Sequence, residues 1–534
     1  MSLKLATPAP DQAANNTVET RPKQVAEWLE RLPKANLFEA GRTLRDALSA
    51  LNRQKLGEDA RLKLLELYRA TIMDLLPGME QQLSGAALPL PEKQRQIANL
   101  ARELLVEVAY GYKIILLEQL NRLISFGSNK QLPQVIQRAL SALSRILVIC
   151  YETYAPTPAG IWSEMHQLYR YAVQHNLQQE AVPDYDATSS INLAYKQALM
   201  LALADPYRLM QGEVGKILDY LAQYGDQAQL MPLAQTTNPH GFFLVRLESD
   251  KPPKAIAQNA ADTDARADIL LNTIDLARAM HQKIVGLEAG EAPRSLGLPE
   301  TASDSAYLDL LRRLLRHWGI APRRHFNRVQ NQAGVEICAG LRAAQYFLHG
   351  EGIYPVAGIL PAQDAEITLQ AATSPGARDS QQTFRTSNWV IANESAGGLA
   401  LRKESEEPVH IRVGEVIGLK PDNAASWNVG VVRWVRSDSP EGLELGVQML
   451  APNAAPVAIK QTIANADATF QPALLLPELP VMKQAATLLA ERGTYQGQRE
   501  FELTQGGVTS YVRATKLVEQ TASFEQFQFI PSQG

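Results

Sequence analysis

One stretch decides the fold of the second half of this chain: WVIANESAGGLAL, residues 389–401. Apolar residues flank a polar, glycine-rich hexapeptide at 393–398, a pattern typical of two β-strands joined by a tight turn. The hexapeptide fits the pattern N-x-S-x-x-G. Asn393 and Ser395 offer short polar side chains that brace a turn, and Gly397 and Gly398 permit a tight backbone or the close approach of a ligand. We therefore expect a hairpin here.

Further alternating segments follow this hairpin. The stretches VGVVRWVR at 429–436 and LGVQML at 445–450 both alternate between the two faces of a strand, and turn residues lie between them. Another alternating segment, VEIC, precedes the hairpin at 335–338. Short strands at such spacing predict an antiparallel sheet or barrel.

A pair of arginines precedes these strands. Arg324 and Arg328 form R-x-x-x-R shortly after a glycine and a proline that end the preceding helix, so we expect both on a loop. Guanidinium groups bind phosphates through two parallel hydrogen bonds, and they pair with or stack on guanine. A second R-x-x-x-R, formed by Arg312 and Arg316, falls within an amphipathic helix, and we assign it to a solvent-facing surface.

In this order, these elements resemble PilZ domains, the bacterial receptors for cyclic di-GMP, over residues 320–450. The resemblance implies a six-stranded β-barrel with the arginines on its N-terminal loop and the N-x-S-x-x-G turn on its surface. The residues implied to bind cyclic di-GMP are Arg324, Arg328, Asn393, Ser395 and Gly398, with Arg323 and Gly397 as further candidates. Asn393 stands where the family more often has Asp. The two motifs are farther apart than is usual in the family, because residues 349–385 look like an insertion.

The remaining sequence predicts a multidomain α + β protein, since 534 residues are too many for one ordinary core. Apolar residues at three- and four-residue spacing predict an all-helical N-terminal bundle or solenoid. The predicted boundaries are a disordered tail at 1–21, a helical domain at 22–289, a linker at 290–304, a helix with the barrel at 305–450, and a β-rich C-terminal subdomain at 451–534.

The composition of the chain argues against several classes of function. The net charge is −4, which argues against a global basic field for nucleic acid or membrane. The first residues lack the apolar core of a signal peptide, and no apolar run reaches the roughly 18 residues of a membrane span. Cys150 and Cys338 are far apart, and we expect buried free thiols. These features predict a cytoplasmic protein.

Catalytic and metal-binding motifs are absent from the sequence. The eight histidines show no metal-ligand spacing, and we find no phosphate-binding glycine loop or nucleophile motif. We therefore expect no catalytic residue, no metal and no cofactor, and we expect a protein partner for the helical N-terminal region. Two alternatives to a cyclic di-GMP effector stay open. One is an interaction scaffold whose barrel no longer binds the nucleotide, and the other is a nucleic-acid binder that also uses Arg433 and Arg436.

Overall fold

The computed structural model describes residues 3–10, 18–121, 130–184, 187–233, 239–256, 264, 267–319, 329–351, 384–395, 397–403, 409–437, 442–451, 453–462, 469–478 and 484–533. The chain divides into two compact units. The first comprises Met1–Ala86 with Leu90–Arg324, and the second comprises Ala87–Pro89 with His325–Gly534. Among the described residues, no helix is both long and apolar enough to cross a membrane.

Helices make up most of the first unit, as the sequence predicts. They are α1 Pro22–Glu30, α2 Leu37–Arg53, α3 Glu58–Leu83, α4 Glu92–Leu120, α5 Leu132–Glu152, α6 Ile161–Gln174, α7 Ile191–Leu203, α8 Glu213–Tyr224, α9 Ile274–Glu288 and α10 Ser305–Gly319. Capping side chains stabilise the first turn of two of these helices. The Asn36 side chain accepts a hydrogen bond from the Glu39 amide at the start of α2, and Ser190 accepts one from the Leu193 amide at the start of α7.

Two small antiparallel sheets lie within this helical unit. Their strands are β1 Val182–Asp184, β2 Ala187–Ser189, β3 Gln229–Pro232, β4 Phe242–Arg246, β5 Lys254–Ala255 and β6 Asp268–Asn272. The first two strands pair with each other, and the other four form a sheet in the order β3-β6-β4-β5. The prediction of a helical region is therefore correct for most of this unit. It omits five of these six strands; the exception is β4, whose run of apolar residues in the sequence suggests a strand.

Three features of the first unit differ from the sequence expectations. Leu3 and Leu5 belong to its buried core, although residues 1–21 are predicted to be disordered. The α3 helix continues through Pro77, although Pro77 followed by Gly78 predicts an interruption there, because the buried residues around that proline offset the one backbone hydrogen bond that it cannot form. The α10 helix, grouped with the barrel in the sequence, packs in the first unit, where the buried Trp318 donates its indole N–H to the Met200 carbonyl at 3.0 Å.

The second unit begins with a closed six-stranded barrel, as the resemblance implies. Its elements are β7 Val329–Gln330, β8 Gly334–Ala339, α11 Leu341–Leu348, β9 Ser387–Ser395, β10 Gly398–Lys403, β11 Val416–Pro421, β12 Asn428–Ser437 and β13 Leu443–Ala451. The strand order is β10-β13-β12-β11-β8-β9, and pairing of β9 with β10 closes the barrel. The short β7 adds to the outer edge of β9.

A second closed barrel follows. Its strands are β14 Ala455–Gln461, β15 Gln471–Leu476, β16 Thr487–Glu491, β17 Glu500–Gln505, β18 Val508–Gln520 and β19 Phe524–Pro531. They pair in the order β14-β15-β16-β19-β18-β17, and β14 with β17 completes the ring. The sequence predicts a β-rich C-terminal region, and closure into a barrel is the added finding.

The two barrels share an apolar cluster at their junction. Cys338, Val431 and Ala344 of the first barrel and its helix join Leu474 and Phe524 of the second barrel in a single buried cluster. The α11 helix lies at this junction and carries polar contacts as well as apolar ones. The two barrels are thus joined by a buried apolar cluster rather than by a loose linker.

Candidate functional site

The N-x-S-x-x-G motif forms the predicted hairpin between β9 and β10. Ser395 ends β9, Gly398 begins β10, and the two residues pair directly across the turn. The Ser395 hydroxyl donates a hydrogen bond to the Gly398 carbonyl oxygen at 3.2 Å. Gly397 is exposed. The serine therefore braces the turn from within, while the glycine beside it leaves the backbone accessible.

Gly398 has a packing role that does not depend on any ligand. It pairs with Gln448 on β13, and a Cβ at this position would lie 2.0 Å from the Val447 carbonyl oxygen. Real Cβ atoms do not approach an oxygen so closely, so any other residue would push β10 away from β13. The glycine of the motif is thus required for barrel closure at this point.

Asn393 lies on the outer face of the barrel. One row of residues in register across four strands is buried inside it: Ile391, Leu401, Leu445 and Val435. Side chains alternate between the faces of a strand, and the pairing of β9 with β10 shifts by one residue between Ala400 and Leu401, so the row next to the buried one points outward on all four strands. That outer row consists of Asn393, Ala400, Gly446 and Trp434. The asparagine of the motif is therefore in register with Trp434 on the outer face, and the small residues Ala400 and Gly446 lie between them.

The segment that follows the arginine motif is anchored beside the turn. In β7, Val329 pairs with Glu394 and Gln330 pairs with Asn393. The Asn331 side chain donates a hydrogen bond to the Glu394 carboxylate at 3.2 Å and accepts one from the Ala333 amide at 2.9 Å. The chain thus emerges from the arginine motif directly next to the N-x-S-x-x-G strand.

The arginines themselves are not among the described residues. Arg323, Arg324 and Arg328 all lie in the segment 320–328, and most of the predicted insertion, residues 352–383, also falls outside the described part of the chain. Their roles stay predictions. What the structure does describe is Val329, the residue that follows Arg328 in sequence, and its partner Glu394.

Arg433 is engaged in an ion pair between the two barrels. It lies at an irregularity in the pairing of β12 with β13, and its Nε donates a hydrogen bond to the Gln448 side-chain oxygen at 2.8 Å. Its two terminal nitrogens bind the Glu519 carboxylate on β18. This pairing neutralises a charge that the nucleic-acid alternative requires, so it weakens that alternative.

Sequence reasoning misses Asn331 and Glu394. Glu394 occupies a variable position of the motif, and Asn331 lies in a segment with no motif at all. The strand that joins them, β7, spans two residues, which is too short to produce an alternating pattern. No sequence signal identifies this contact.

A separate cavity of about 400 Å³ lies near the start of α11, and it includes none of the motif residues. Its lining includes Arg342, Glu415 and Glu491, and the Arg342 guanidinium binds the Glu491 carboxylate at 2.8 Å. Burial raises the pKa of Glu415. In the described parts of both units, no group of three or more His, Cys, Asp or Glu side chains is arranged to hold a metal ion.

The first unit has a surface groove of about 500 Å³ between α2 and α4. Phe38 and Leu100 contribute apolar surface, and Arg42, Arg45 and Glu103 contribute charge. Arg45 binds the Glu103 carboxylate at 2.6 Å. The groove therefore combines an apolar floor with a polar rim, which is the general composition of protein-binding sites.

Both cysteines of the chain are buried free thiols, as the sequence predicts. Burial raises the pKa of Cys338 to about 12 and also raises the pKa of Cys150. Because the thiolate is the reactive form, such cysteines are poor nucleophiles. Neither thiol is a candidate for chemistry at the surface of the barrel.

Comparison with known proteins accounts for almost the whole chain. Three domain models of one family match consecutive segments. "Cyclic-di-GMP receptor FimW, N-terminal domain" matches residues 23–235. "Cyclic-di-GMP receptor FimW, middle PilZ domain" matches residues 242–365 and 359–456, and "FimW C-terminal beta-barrel domain" matches residues 457–532.

A relative that aligns with nearly the whole chain supports the same family. The cyclic-di-GMP receptor FimW of Pseudomonas aeruginosa is 29% identical over 577 aligned positions, which cover 99% of this chain and 93% of the relative. The predicted PilZ resemblance is confirmed, and the similarity extends well beyond residues 320–450. With its helical region, PilZ barrel and C-terminal barrel in the same order as these domain models, the chain belongs to the FimW family of PilZ-domain proteins.

Proposed function

We propose that this chain is a non-enzymatic effector that binds cyclic di-GMP on the outer face of its first barrel. The pairing of Val329 with Glu394 is the observation that carries the proposal. Because Arg328 directly precedes Val329, this pairing supports an arginine loop within reach of the N-x-S-x-x-G turn, despite the long insertion between the motifs in sequence.

The chemistry of the two motifs fits this ligand. Cyclic di-GMP carries two phosphodiester charges and two guanine bases. Arg324 and Arg328 would bind phosphate oxygens and guanine edges, with Arg323 as a further cation. Asn393 and Ser395 would contribute short polar groups.

The backbone of the turn completes the proposed site. Gly397 and Gly398 would let the ligand approach the main chain closely. The name of the Pseudomonas aeruginosa relative, a cyclic-di-GMP receptor, supports the same ligand. No cofactor is required for such binding.

Ligand capture would act by ordering the arginine loop and changing interdomain or partner contacts. A ligand shifts a conformational equilibrium only through its different affinity for the two states. In this proposal the ordered loop is the state that the ligand favours. The output would pass to a cytoplasmic protein partner through the helical region, where the groove at Phe38 and Leu100 is a candidate contact surface.

The experiment is a calorimetric titration of two double variants with cyclic di-GMP. Arg324→Ala with Arg328→Ala should abolish detectable binding and leave thermal unfolding unchanged. Arg312→Ala with Arg316→Ala is a matched control, because it removes an R-x-x-x-R of the same spacing from α10. We expect the control to bind as the wild type does.

Equal binding by both double variants would contradict the arginine assignment. Absence of binding by the wild type, together with no ligand-induced shift in thermal stability, would favour the scaffold alternative. Salt-dependent retardation of nucleic acid in a gel would instead favour the nucleic-acid alternative.

A further inference from the structure

Trp434 lies flat on the outer face of the first barrel. Its neighbour Val435 points inward and is fully buried, so the indole points outward, and Trp434 itself is only half-buried. Trp434 pairs with Gly446 on β13. A Cβ added at Gly446 would come within 2.3 Å of three atoms of the indole, Nε1, Cε2 and Cδ1. The pyrrole edge of the ring therefore rests directly on the glycine backbone.

The indole extends toward the N-x-S-x-x-G strand. Trp434, Gly446, Ala400 and Asn393 are in register on four adjacent strands. At about 4.8 Å per strand, roughly 14 Å separates the backbones of Trp434 and Asn393. The ring lies over Gly446, the first position of this row, and the small Ala400, which is only 7% exposed, lies between it and Asn393. The row between the tryptophan and the motif consequently carries no large side chain.

Packing alone does not account for this aromatic residue. The interior of the barrel is filled by the buried row that includes Leu401, Leu445 and Val435. Trp434 lies outside that core. An indole at the surface, in line with a polar residue of a nucleotide motif, is the arrangement that proteins use to stack a base, and every base offers an aromatic face for such a contact.

We propose that Trp434 is a stacking platform for one guanine base of cyclic di-GMP. This inference rests on the proposed function and extends its site from the β9–β10 turn across to β12. Gly446 supports the platform because its lack of a side chain lets the ring lie flat. Asn393, at the other end of the row, would bind polar groups of the same ligand.

The test is a set of single variants titrated with cyclic di-GMP by calorimetry and by tryptophan fluorescence. Trp434→Ala should bind roughly 10- to 100-fold more weakly, the range expected for the loss of one stacked base. Trp434→Phe keeps an aromatic face and should stay within about threefold of the wild type. The ligand-induced change in fluorescence should be present in the wild type and lost in Trp434→Phe.

Trp28→Phe is the matched control. Trp28 is a half-buried tryptophan on α1 of the first unit, and its replacement should leave both the affinity and the fluorescence change intact. Binding of Trp434→Ala within twofold of the wild type would overturn the inference. If Trp434→Ala does not fold, persistence of the fluorescence change in Trp434→Phe would overturn it instead. Failure of the wild type to bind would overturn the proposed function itself.

Discussion

Val329 lies opposite Glu394 in the pairing of β7 with β9, so the chain leaves the arginine motif beside the N-x-S-x-x-G strand. In sequence, 64 positions separate Arg328 from Asn393, as the difference between their numbers gives (393 − 328 = 65, less one). In the fold, Gln330 pairs directly with Asn393. The long insertion therefore does not prevent the two motifs from acting on one ligand.

The contact between Asn331 and Glu394 predicts a measurable effect on binding. Asn331→Ala removes the hydrogen bond to the Glu394 carboxylate and the one from the Ala333 amide. We expect cyclic di-GMP to bind about threefold to tenfold more weakly, since the hydrogen bond to Glu394 that holds this segment beside the turn contributes about 1 kcal/mol. Asn423→Ala, at an exposed turn of the same barrel, is the control for calorimetry. Unchanged affinity in Asn331→Ala would show that this contact does not position the loop.

The close approach at Gly398 predicts a loss of stability. Gly398→Ala places a methyl group against the Val447 carbonyl oxygen, and such overpacking typically costs about 1–3 kcal/mol. Denaturant unfolding of the second unit should show this loss. Gly497→Ala should be nearly neutral, because the Tyr495 hydroxyl, the nearest neighbour of its added methyl group, would lie 3.8 Å away. Equal stability of the two variants would contradict the steric argument.

The hydrogen bonds of Gln345 are expected to stabilise the junction between the two barrels. From α11, its buried amide nitrogen donates hydrogen bonds to the Val457 carbonyl at 2.6 Å and the Ala473 carbonyl at 3.2 Å. Gln345→Met should leave these carbonyls without that donor and lower the free energy of unfolding by about 2 kcal/mol. The exposed Gln505→Met, on β17, serves as the control. A loss below about 0.5 kcal/mol would argue against this role.

The raised pKa of Glu152 predicts that the stability of the first unit depends on pH. Burial raises the pKa of Glu152 from 4.5 to about 7, and the Glu80 carboxylate adds to this rise while Arg145 opposes it. The folded state thus holds this proton more tightly than the unfolded chain, so the contribution of Glu152 to stability falls as the pH rises from about 4.5 to about 7.

The side chain in Glu152→Gln is neutral at every pH, so the variant does not lose stability as the pH rises. We expect the variant to exceed the wild type in stability by at most about 3 kcal/mol at pH 8, and to match it at pH 4. Urea unfolding at the two pH values measures the difference. Glu30→Gln, at an exposed position of α1, is the control for the substitution itself. A Glu152→Gln variant that gains nothing at pH 8 would contradict the burial argument.

The sequence predicts β8, β9, β10, β12 and β13 of the first barrel because each alternates between the two faces of a strand, whereas β11 begins with four buried residues in a row and gives no such pattern. Leu445 and Val435, for example, face inward as their alternation predicts. It also predicts the hairpin, since Gly398 and Ser395 have local conformational preferences. These signals are local, and they are sufficient for the fold class.

Other features depend on distant contacts and leave no local pattern. Leu3 and Leu5 are buried although they lie in a polar segment, because backbone amides next to them bind Gln167 and Glu164 on α6. The β7 strand is too short to alternate. The position of Trp434 over Gly446 depends on the register of two strands, which the sequence does not specify.

Calorimetric titration of the wild-type chain with cyclic di-GMP tests the central claim most directly. The account predicts saturable heat with a low micromolar or lower Kd, about −8 kcal/mol or more favourable. It also predicts that this heat disappears in the double variant Arg324→Ala with Arg328→Ala. A wild-type chain that gives no heat and no ligand-induced thermal shift would contradict the account.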